Sequence, residues 1–167
     1  MAAFEETVAR LKGKFGDASL TTSEFRDNFR VHVDADRVEV VLTFLKADGF
    51  DMLAELGAAD YLRYPNATDR YGVWYCLVNT KTGQRLFVKT FVNDPEPSLP
   101  SVYDLWKGSD WMEREVYDMY GIVFDGHPDL RRILMPDEFT SFPLRKDYPM
   151  RGKGERHNFQ PLTRSNS

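Results

Sequence analysis

Residues 70–92 constrain the fold more tightly than any other stretch. Tyr71, Val73, Tyr75 and Leu77 alternate with Gly72, Trp74, Cys76 and Val78. Thr80-Lys81-Thr82-Gly83 follows, and then Leu86, Val88, Thr90 and Val92 alternate with Arg85, Phe87, Lys89 and Phe91. Alternation of β-branched and aromatic residues with period two, broken by a glycine turn, specifies two antiparallel strands. The first strand is apolar on both faces and therefore belongs in the interior of a sheet. The second keeps Arg85 and Lys89 on one face, which must meet solvent or a charged partner.

Around this pair the remaining elements fall into place. Phe4, Val8, Leu11 and Phe15 recur at helical spacing before Gly16, so residues 3–15 are expected to form an amphipathic helix. Glu24-Phe25-Arg26 and then Phe29, Val31 and Val33 read as a hairpin turning at Asp27-Asn28. Asp34 or Asp36 is placed to cap a second helix with Val38, Val41, Leu42 and Leu45 on its apolar face and Gly49 just beyond its last turn. Residues 52–61 fit a strand, and residues 64–69 are a loop by composition. Residues 93–100, rich in proline and acid, read as loop only, and residues 101–107 as a short helical turn stopped by Gly108-Ser109.

The densest chemistry lies in residues 110–149. Asp110 followed by Glu113 is the pattern of a capping pair. Met112, Val116, Met119 and Tyr120 line one helix face, and Gly121 supplies a left-handed stop. Arg114 and Asp118 are spaced to pair across one helical turn, worth about 0.2–0.5 kcal/mol when exposed. Paired charges together with Trp111, Tyr117 and Tyr120 around most of the circumference imply a helix contacted on two sides. Beyond Leu134 neither period persists and Pro136, Pro143, Pro149 and Pro161 interrupt the chain, so the tail is expected to be disordered or laid across another protein. The fold class is thus α+β. A single domain over residues 1–134, a mixed sheet packed with a few helices, is followed by an extended irregular tail over residues 135–167.

Bulk properties narrow the function. The chain has 167 residues, 42% apolar, with no run approaching the ~18 needed to span a membrane. Met1-Ala2-Ala3-Phe4-Glu5-Glu6 lacks the basic start of an export signal. One cysteine, Cys76, excludes an internal disulfide or a cysteine cage made by this chain alone, and its place in an interior strand makes it a small buried hydrophobe. Residues 1–127 hold 14 Lys/Arg against 21 Asp/Glu and residues 128–167 hold 8 against 5. A weakly basic tail on an acidic body favours a protein partner over a polynucleotide.

Catalytic signatures are missing. His32, His127 and His157 fall on different elements without metal-ligand spacing, and no phosphate-cradling glycine loop or nucleophile elbow occurs. His127, in Gly126-His127-Pro128-Asp129, is expected to order its turn by hydrogen bonding to Asp125 or Asp129. Asn66-Ala67-Thr68 has the form of a glycosylation sequon, without meaning in a cytosolic protein.

Three blocks carry a family resemblance. They are Glu113-Arg114-Glu115-Val116-Tyr117-Asp118-Met119-Tyr120-Gly121-Ile122, then Phe124-Asp125-Gly126-His127-Pro128-Asp129-Leu130-Arg131-Arg132-Ile133-Leu134, and Pro143-Leu144-Arg145-Lys146-Asp147-Tyr148-Pro149. In that order they resemble the C subunit, also called the J subunit, of proton-translocating NADH:quinone oxidoreductase, respiratory complex I. The resemblance implies a cofactor-free scaffold in the hydrophilic arm, peripheral on the cytoplasmic side of the inner membrane. FMN and iron–sulfur clusters would belong to partner subunits. It also implies packing on the D subunit, which helps form the quinone site, with the tail laid along that neighbour. Carried over by motif, the interface residues are Glu113, Arg114, Tyr117, Asp118, His127, Asp129, Arg131, Arg132, Pro143, Arg145, Lys146 and Asp147, and no catalytic residue is expected. Where the family has glycine before the third block this chain has Ser141-Phe142, so Ser141 is expected to take a left-handed conformation or the turn to change shape. The competing readings are an equivalent subunit of a ferredoxin-type complex, a stand-alone hydrolase or isomerase using His127 with Asp118 or Asp129, and a nucleic-acid module using the basic tail.

Overall fold

The computed structural model describes residues 2–16, 20–26 and 28–158. Its elements run α1 (Ala2–Phe15), β1 (Leu20–Phe25), β2 (Asn28–Val33), α2 (Val38–Ala47), β3 (Met52–Asp60), β4 (Tyr71–Val78), β5 (Arg85–Val92), β6 (Ser98–Pro100), α3 (Ser109–Tyr120) and β7 (Val123–Asp125). Five strands form one mixed sheet in the order β1-β2-β5-β4-β3, antiparallel except for the β2–β5 pair. β4, apolar on both faces, is interior, as the alternation requires.

The sheet's two faces differ as the sequence pattern demands. Tyr71, Val73, Tyr75 and Leu77 of β4 join Leu86 and Val88 of β5 in the core, all fully buried. Val38, Val41, Leu42 and Leu45 of α2 press on the same core, together with Leu11 of α1. Each such side chain contributes up to about 1.5–3 kcal/mol of burial. The two helices are joined by Phe15 edge-on to Phe44 and by the Arg10–Asp48 ion pair at 2.8 Å. The opposite face, carrying Arg30, Trp74, Phe87, Lys89 and Phe91, is only half-buried.

Several local expectations are corrected. The α2 helix is preceded by a turn of 3₁₀ helix over Ala35–Arg37, and neither Asp34 nor Asp36 makes a side-chain cap. The hairpin turns one residue earlier than expected, with Asn28 already paired to Phe25; Asp27 lies outside the described residues. Ser98–Pro100 is not loop but a short strand parallel to β7, while residues 101–107 hold a short turn as expected, closed by the Trp106 amide on the Val102 carbonyl. Three-residue strands with one inward side chain each, Leu99 and Phe124, carry no period to read.

As expected, the tail is irregular through residue 158 apart from a turn of 3₁₀ helix over Glu155–Asn158. It is fastened along α3 and the end of β3 of its own chain by the contacts described below. Residues 159–167 lie outside the described residues.

Candidate functional site

Helix α3 packs on β3 with one side and receives residues 127–147 of its own chain on the other. Two-sided contact, inferred from its composition, is therefore supplied by the chain itself. The charged residues of the first motif block hold this arrangement together, and they do so over distances that helix-local rules do not reach.

Glu113 is fully buried, and it does not cap α3. The helix begins at Ser109 behind Gly108, without a side-chain cap. Glu113 lies one turn in from Ser109, in line with Ser109 and Val116, so its carboxylate points into the domain. There it accepts the Ser101 hydroxyl at 2.6 Å and the Val102 amide at 2.8 Å. Burial pushes its pKa up, opposed by those two bonds. The carboxylate thus braces the turn that follows β6.

Asp118 does not pair with Arg114. Its Oδ2 accepts the backbone N–H groups of Ile133, Leu134 and Met135 at 3.0, 2.8 and 2.8 Å, while Oδ1 meets Arg132 at 2.6 Å. Burial pushes its pKa up, but the three amides and the guanidinium outweigh it, and the net shift is downward. Arg114 turns instead to the carbonyls of Arg131 and Arg132, at 3.2 and 3.1 Å. A buried cation and a buried anion one turn apart each satisfy the backbone of the same crossing segment, a stronger use than an exposed helix pair.

The segment then continues over the end of the helix. Arg132 donates to the Ser141 carbonyl at 3.1 Å, the Leu144 amide to the Met119 carbonyl at 3.1 Å, and Arg145 Nε to the Tyr120 carbonyl at 2.6 Å. These last two donors satisfy carbonyls that a helix terminus leaves without intrahelical partners. Gly121, at φ 75°, stops the helix and leaves the space that Phe142 and Arg145 fill: a Cβ there would stand 2.5 Å from the Phe142 ring. Ser141 is not left-handed, and its hydroxyl donates to Glu155 at 3.0 Å.

A third anchor joins Lys146 and Asp147 of the third block to Asp60, Arg70 and Asp94, which no motif marks. Arg70 contacts Asp60 at 3.2 Å, Asp147 at 2.7 Å and Asp94, while the Lys146 amide donates to Asp60 at 2.8 Å. Hydrogen bonding to Arg70 holds the Asp147 carboxyl below its usual range. The signal is present in β3, where Leu56, Ala58 and Asp60 share one face: an acid in core register needs a partner from elsewhere.

His127 is enclosed by its surroundings, its Nδ1 accepting the Asp129 amide at 3.1 Å and its Nε2 facing the Asp110 carbonyl at 3.2 Å. The expected partner Asp125 plays no part, and Asp129 contributes its backbone. Because Nδ1 accepts, the ring proton sits on Nε2. Nε2 stands 4.0 Å from Glu113, whereas Asp118 is committed to residues 132–135, roughly 7 Å farther along the axis at ~1.5 Å per residue. His127 and Asp118 do not converge, and the Asp129 carboxylate is bound to Arg131 at 2.8 Å. A hydrolase centre on these residues is contradicted by this geometry.

The expected interface residues thus divide. Glu113, Asp118 and His127 are enclosed, and Arg114 and Arg132 nearly so, whereas Arg131, Asp129 and Lys146 reach solvent. Tyr117 packs edge-on to Phe142, Pro143 is half-buried beside it, and Arg145 lies over the Phe142 ring. Large apolar side chains nonetheless remain exposed here, namely Trp111, Leu134, Leu144 and Met150. Among the described residues no cluster of His, Cys, Asp and Glu is arranged to hold a metal ion, and no helix is long and apolar enough to cross a membrane. Cys76 is buried, which raises its thiol pKa.

Comparisons with known proteins bear on this geometry. The model of a family described as the respiratory-chain NADH dehydrogenase 30 kDa subunit matches residues 31–154. NADH-quinone oxidoreductase subunit 5 of Thermus thermophilus is 44% identical over 129 residues, 74% of this chain; the chain spans 62% of that relative's length. The C subunit of the NADH-quinone oxidoreductase of Roseiflexus castenholzii is 43% identical over 147 residues, covering 86% of this chain and 82% of the relative. That of Trichlorobacter lovleyi is 40% identical over 155, covering 92% and 94%. A solved trypsin-resistant fragment of Nqo5 superposes with a TM-score of 0.68 at 36% identity, over 74% of this chain and 99% of the fragment. A chain of the membrane-bound sulfane sulfur reductase, an archaeal respiratory membrane complex, shares the fold with a TM-score of 0.75 at 24% identity, over 98% of this chain and 95% of that one. The chain belongs to the family of the respiratory-chain NADH dehydrogenase 30 kDa subunit.

Proposed function

We propose that this protein is a structural subunit of a proton-pumping NADH:quinone oxidoreductase, peripheral on the membrane and holding no redox group of its own. It works by presenting α3 and residues 127–158 as a pre-ordered surface to the quinone-site subunit, with flavin and iron–sulfur clusters held by other subunits. The observation that carries this reading is that the motif charges fasten the segment to the domain from inside. Asp118 pairs with Arg132 and accepts the amides of residues 133–135, while Arg114 binds the carbonyls of Arg131 and Arg132, leaving Trp111, Leu134, Leu144 and Met150 exposed. A preordered surface loses less conformational entropy on docking than a loose tail. Exposed aromatic and aliphatic side chains on such a rigid support are the residue types from which contact hot spots are built.

The test is affinity purification of the tagged full chain from its native membrane, with identification of the proteins that accompany it. The quinone-site subunit and its neighbours are expected in stoichiometric amount. Replacing Trp111 and Leu134 by Ser should lower that yield at least tenfold while leaving the denaturation midpoint unchanged. Recovery of the chain without any oxidoreductase subunit would refute the reading.

A further inference from the structure

The open face of the five-stranded sheet is not used by the fastening just described. In register across it stand Asn28, Arg30 and His32 of β2, Arg85, Phe87, Lys89 and Phe91 of β5, and Trp74 of β4 beside Gly57 of β3. Gly57 lets the indole lie flat on the strand: a Cβ there would meet the Trp74 ring at 2.6 Å. Between Trp74 and Phe87 the face sinks into a hollow of about 270 Å³, closed by Arg30, Lys89, Tyr61 and Asn28.

Charge on this face runs against the rest of the molecule. The chain as a whole is −4, yet the paired strand positions of this face hold Arg30, Arg85 and Lys89 against one acid, Glu55. None of the three cations forms an ion pair within 4.0 Å among the described residues, whereas Arg10, Arg70 and Arg132 elsewhere in the domain each meet a carboxylate. Among the described residues, Arg85 hydrogen-bonds to the Asn28 amide oxygen at 2.9 Å and Lys89 to the Tyr61 hydroxyl at 2.7 Å. The positive field is felt locally: burial and then Lys89 and Arg30 lower the pKa of His32. Cations that meet no carboxylate among the described residues, around a hollow walled by aromatic rings, are electrostatically incomplete.

We propose that this face is a second docking surface, separate from α3 and the tail, and that it takes an acidic segment of a partner protein. Its carboxylates lie over Arg30, Arg85 and Lys89, and one apolar side chain enters the hollow between Trp74 and Phe87. A nucleic acid fits less well. Base stacking needs open ring faces, and here cations lie over them: Lys89 over Tyr61 and Phe91 at 4.5 and 4.7 Å, Arg85 over Phe87 at 5.8 Å. Residues 159–167 of this chain, with one arginine and no acidic side chain, lack the chemistry of that occupant.

The identity of the assembly rests on the function proposed above; the chemistry of the face does not. Lys89 provides the readout. Acetylation of Lys89 by a small acyl donor is compared between the purified full chain and the protein as it stands in native membrane extract. A zero-length carbodiimide, which joins an amine only to a carboxylate in contact with it, is applied to the same extract. At least tenfold protection of Lys89 is expected in the extract, with a covalent link from Lys89 to an Asp or Glu of another protein. Lys89→Glu should abolish the link and Lys89→Arg should keep the partner bound. Equal reactivity in both states, protection without a carboxylate link, or a link to a second copy of this chain would each overturn the proposal. So would tight binding of a single-stranded oligothymidylate that Lys89→Glu abolishes. If oxidoreductase subunits co-purify while Lys89 stays reactive, this inference alone falls. If Lys89 is protected and linked while none of those subunits accompanies the chain, the proposed function falls and this inference stands.

Discussion

The sheet and the α3–tail region are held by opposite chemistry. Across β4 and β5, buried Leu, Val and Tyr side chains make an apolar core whose stabilisation does not rest on the ionisation of any side chain. Along α3, buried Glu113, Arg114 and Asp118 bind the backbone of segments distant in sequence, through bonds whose strength depends on ionisation. The apolar half is tolerant of detail, because a hydrophobic residue of about the right volume will serve. The polar half is not, since removing one partner leaves another buried and unsatisfied. This contrast accounts for the dense motif text in residues 113–147 and its thinness elsewhere: specific donors and acceptors have to be spelled out.

The largest expected effect is on the polar side. Asp118→Asn keeps the shape but loses the charge facing Arg132 and the full acceptance of three amides, at a cost of about 3–5 kcal/mol. Hydrogen exchange should show the amides of Ile133, Leu134 and Met135 losing protection first while β4 and β5 keep theirs. A uniform loss would mean that the two regions unfold as one unit, and the comparison would break. Acid offers a second route to the same opening. Asp118 has its pKa held below the ordinary 3.8, so its contribution is present above that value and fades as pH falls through the folded one. Glu113, shifted upward from 4.5, behaves oppositely: its contribution is present at low pH and declines as pH rises through the folded value. Acidification below about pH 4 should therefore release residues 131–135 before the turn at 101–102, as amide protection followed through an acid titration would report.

On the apolar side, Leu77→Ala should cost about 2–5 kcal/mol, in proportion to the cavity left in a fully buried site. It should lower protection across the whole sheet, with no change in its pH dependence. A pH-sensitive defect in this variant would blur the division between the two halves.

How much of this is legible in the residues follows the same line. The strands β4 and β5, the apolar face of α2 and the Gly121 stop obey periodicity and backbone sterics, which are local, so sequence pattern and structure agree there. Helix rules assign Glu113 to capping and Asp118 to an exposed pair because they see only four residues either way. The actual donors, Ser101, Val102 and the amides of 133–135, arrive through tertiary folding. The Asp60–Lys146 contact joins residues separated by 86 positions. The tail reads as unanchored for a related reason: its fastening uses backbone amides and carbonyls, which nearly every residue carries and no pattern marks.

Gly121→Ala tests the seam between the halves. The left-handed φ and the crowding of Phe142 and Arg145 together should cost about 1–3 kcal/mol. The defect is expected as a loosening of residues 142–145, detectable as faster exchange of the Leu144 amide, which bonds the Met119 carbonyl.

Arg131→Ala should produce the smallest effect on the isolated chain, and for that reason it is informative. Its guanidinium is mostly exposed and, among the described residues, pairs with the neighbouring exposed Asp129 at 2.8 Å, while the fold uses its backbone carbonyl, which the substitution keeps. Exposed pairs of this kind contribute little to folding, so the denaturation midpoint should not move. On the function proposed above, co-purification with the rest of the oxidoreductase is expected to fall all the same, because an exposed guanidinium on an ordered segment is free to exchange its exposed partner Asp129 for a carboxylate of another subunit. A lowered midpoint would place Arg131 with the enclosed residues after all. An unchanged yield would confine the contact surface to the apolar side chains around it.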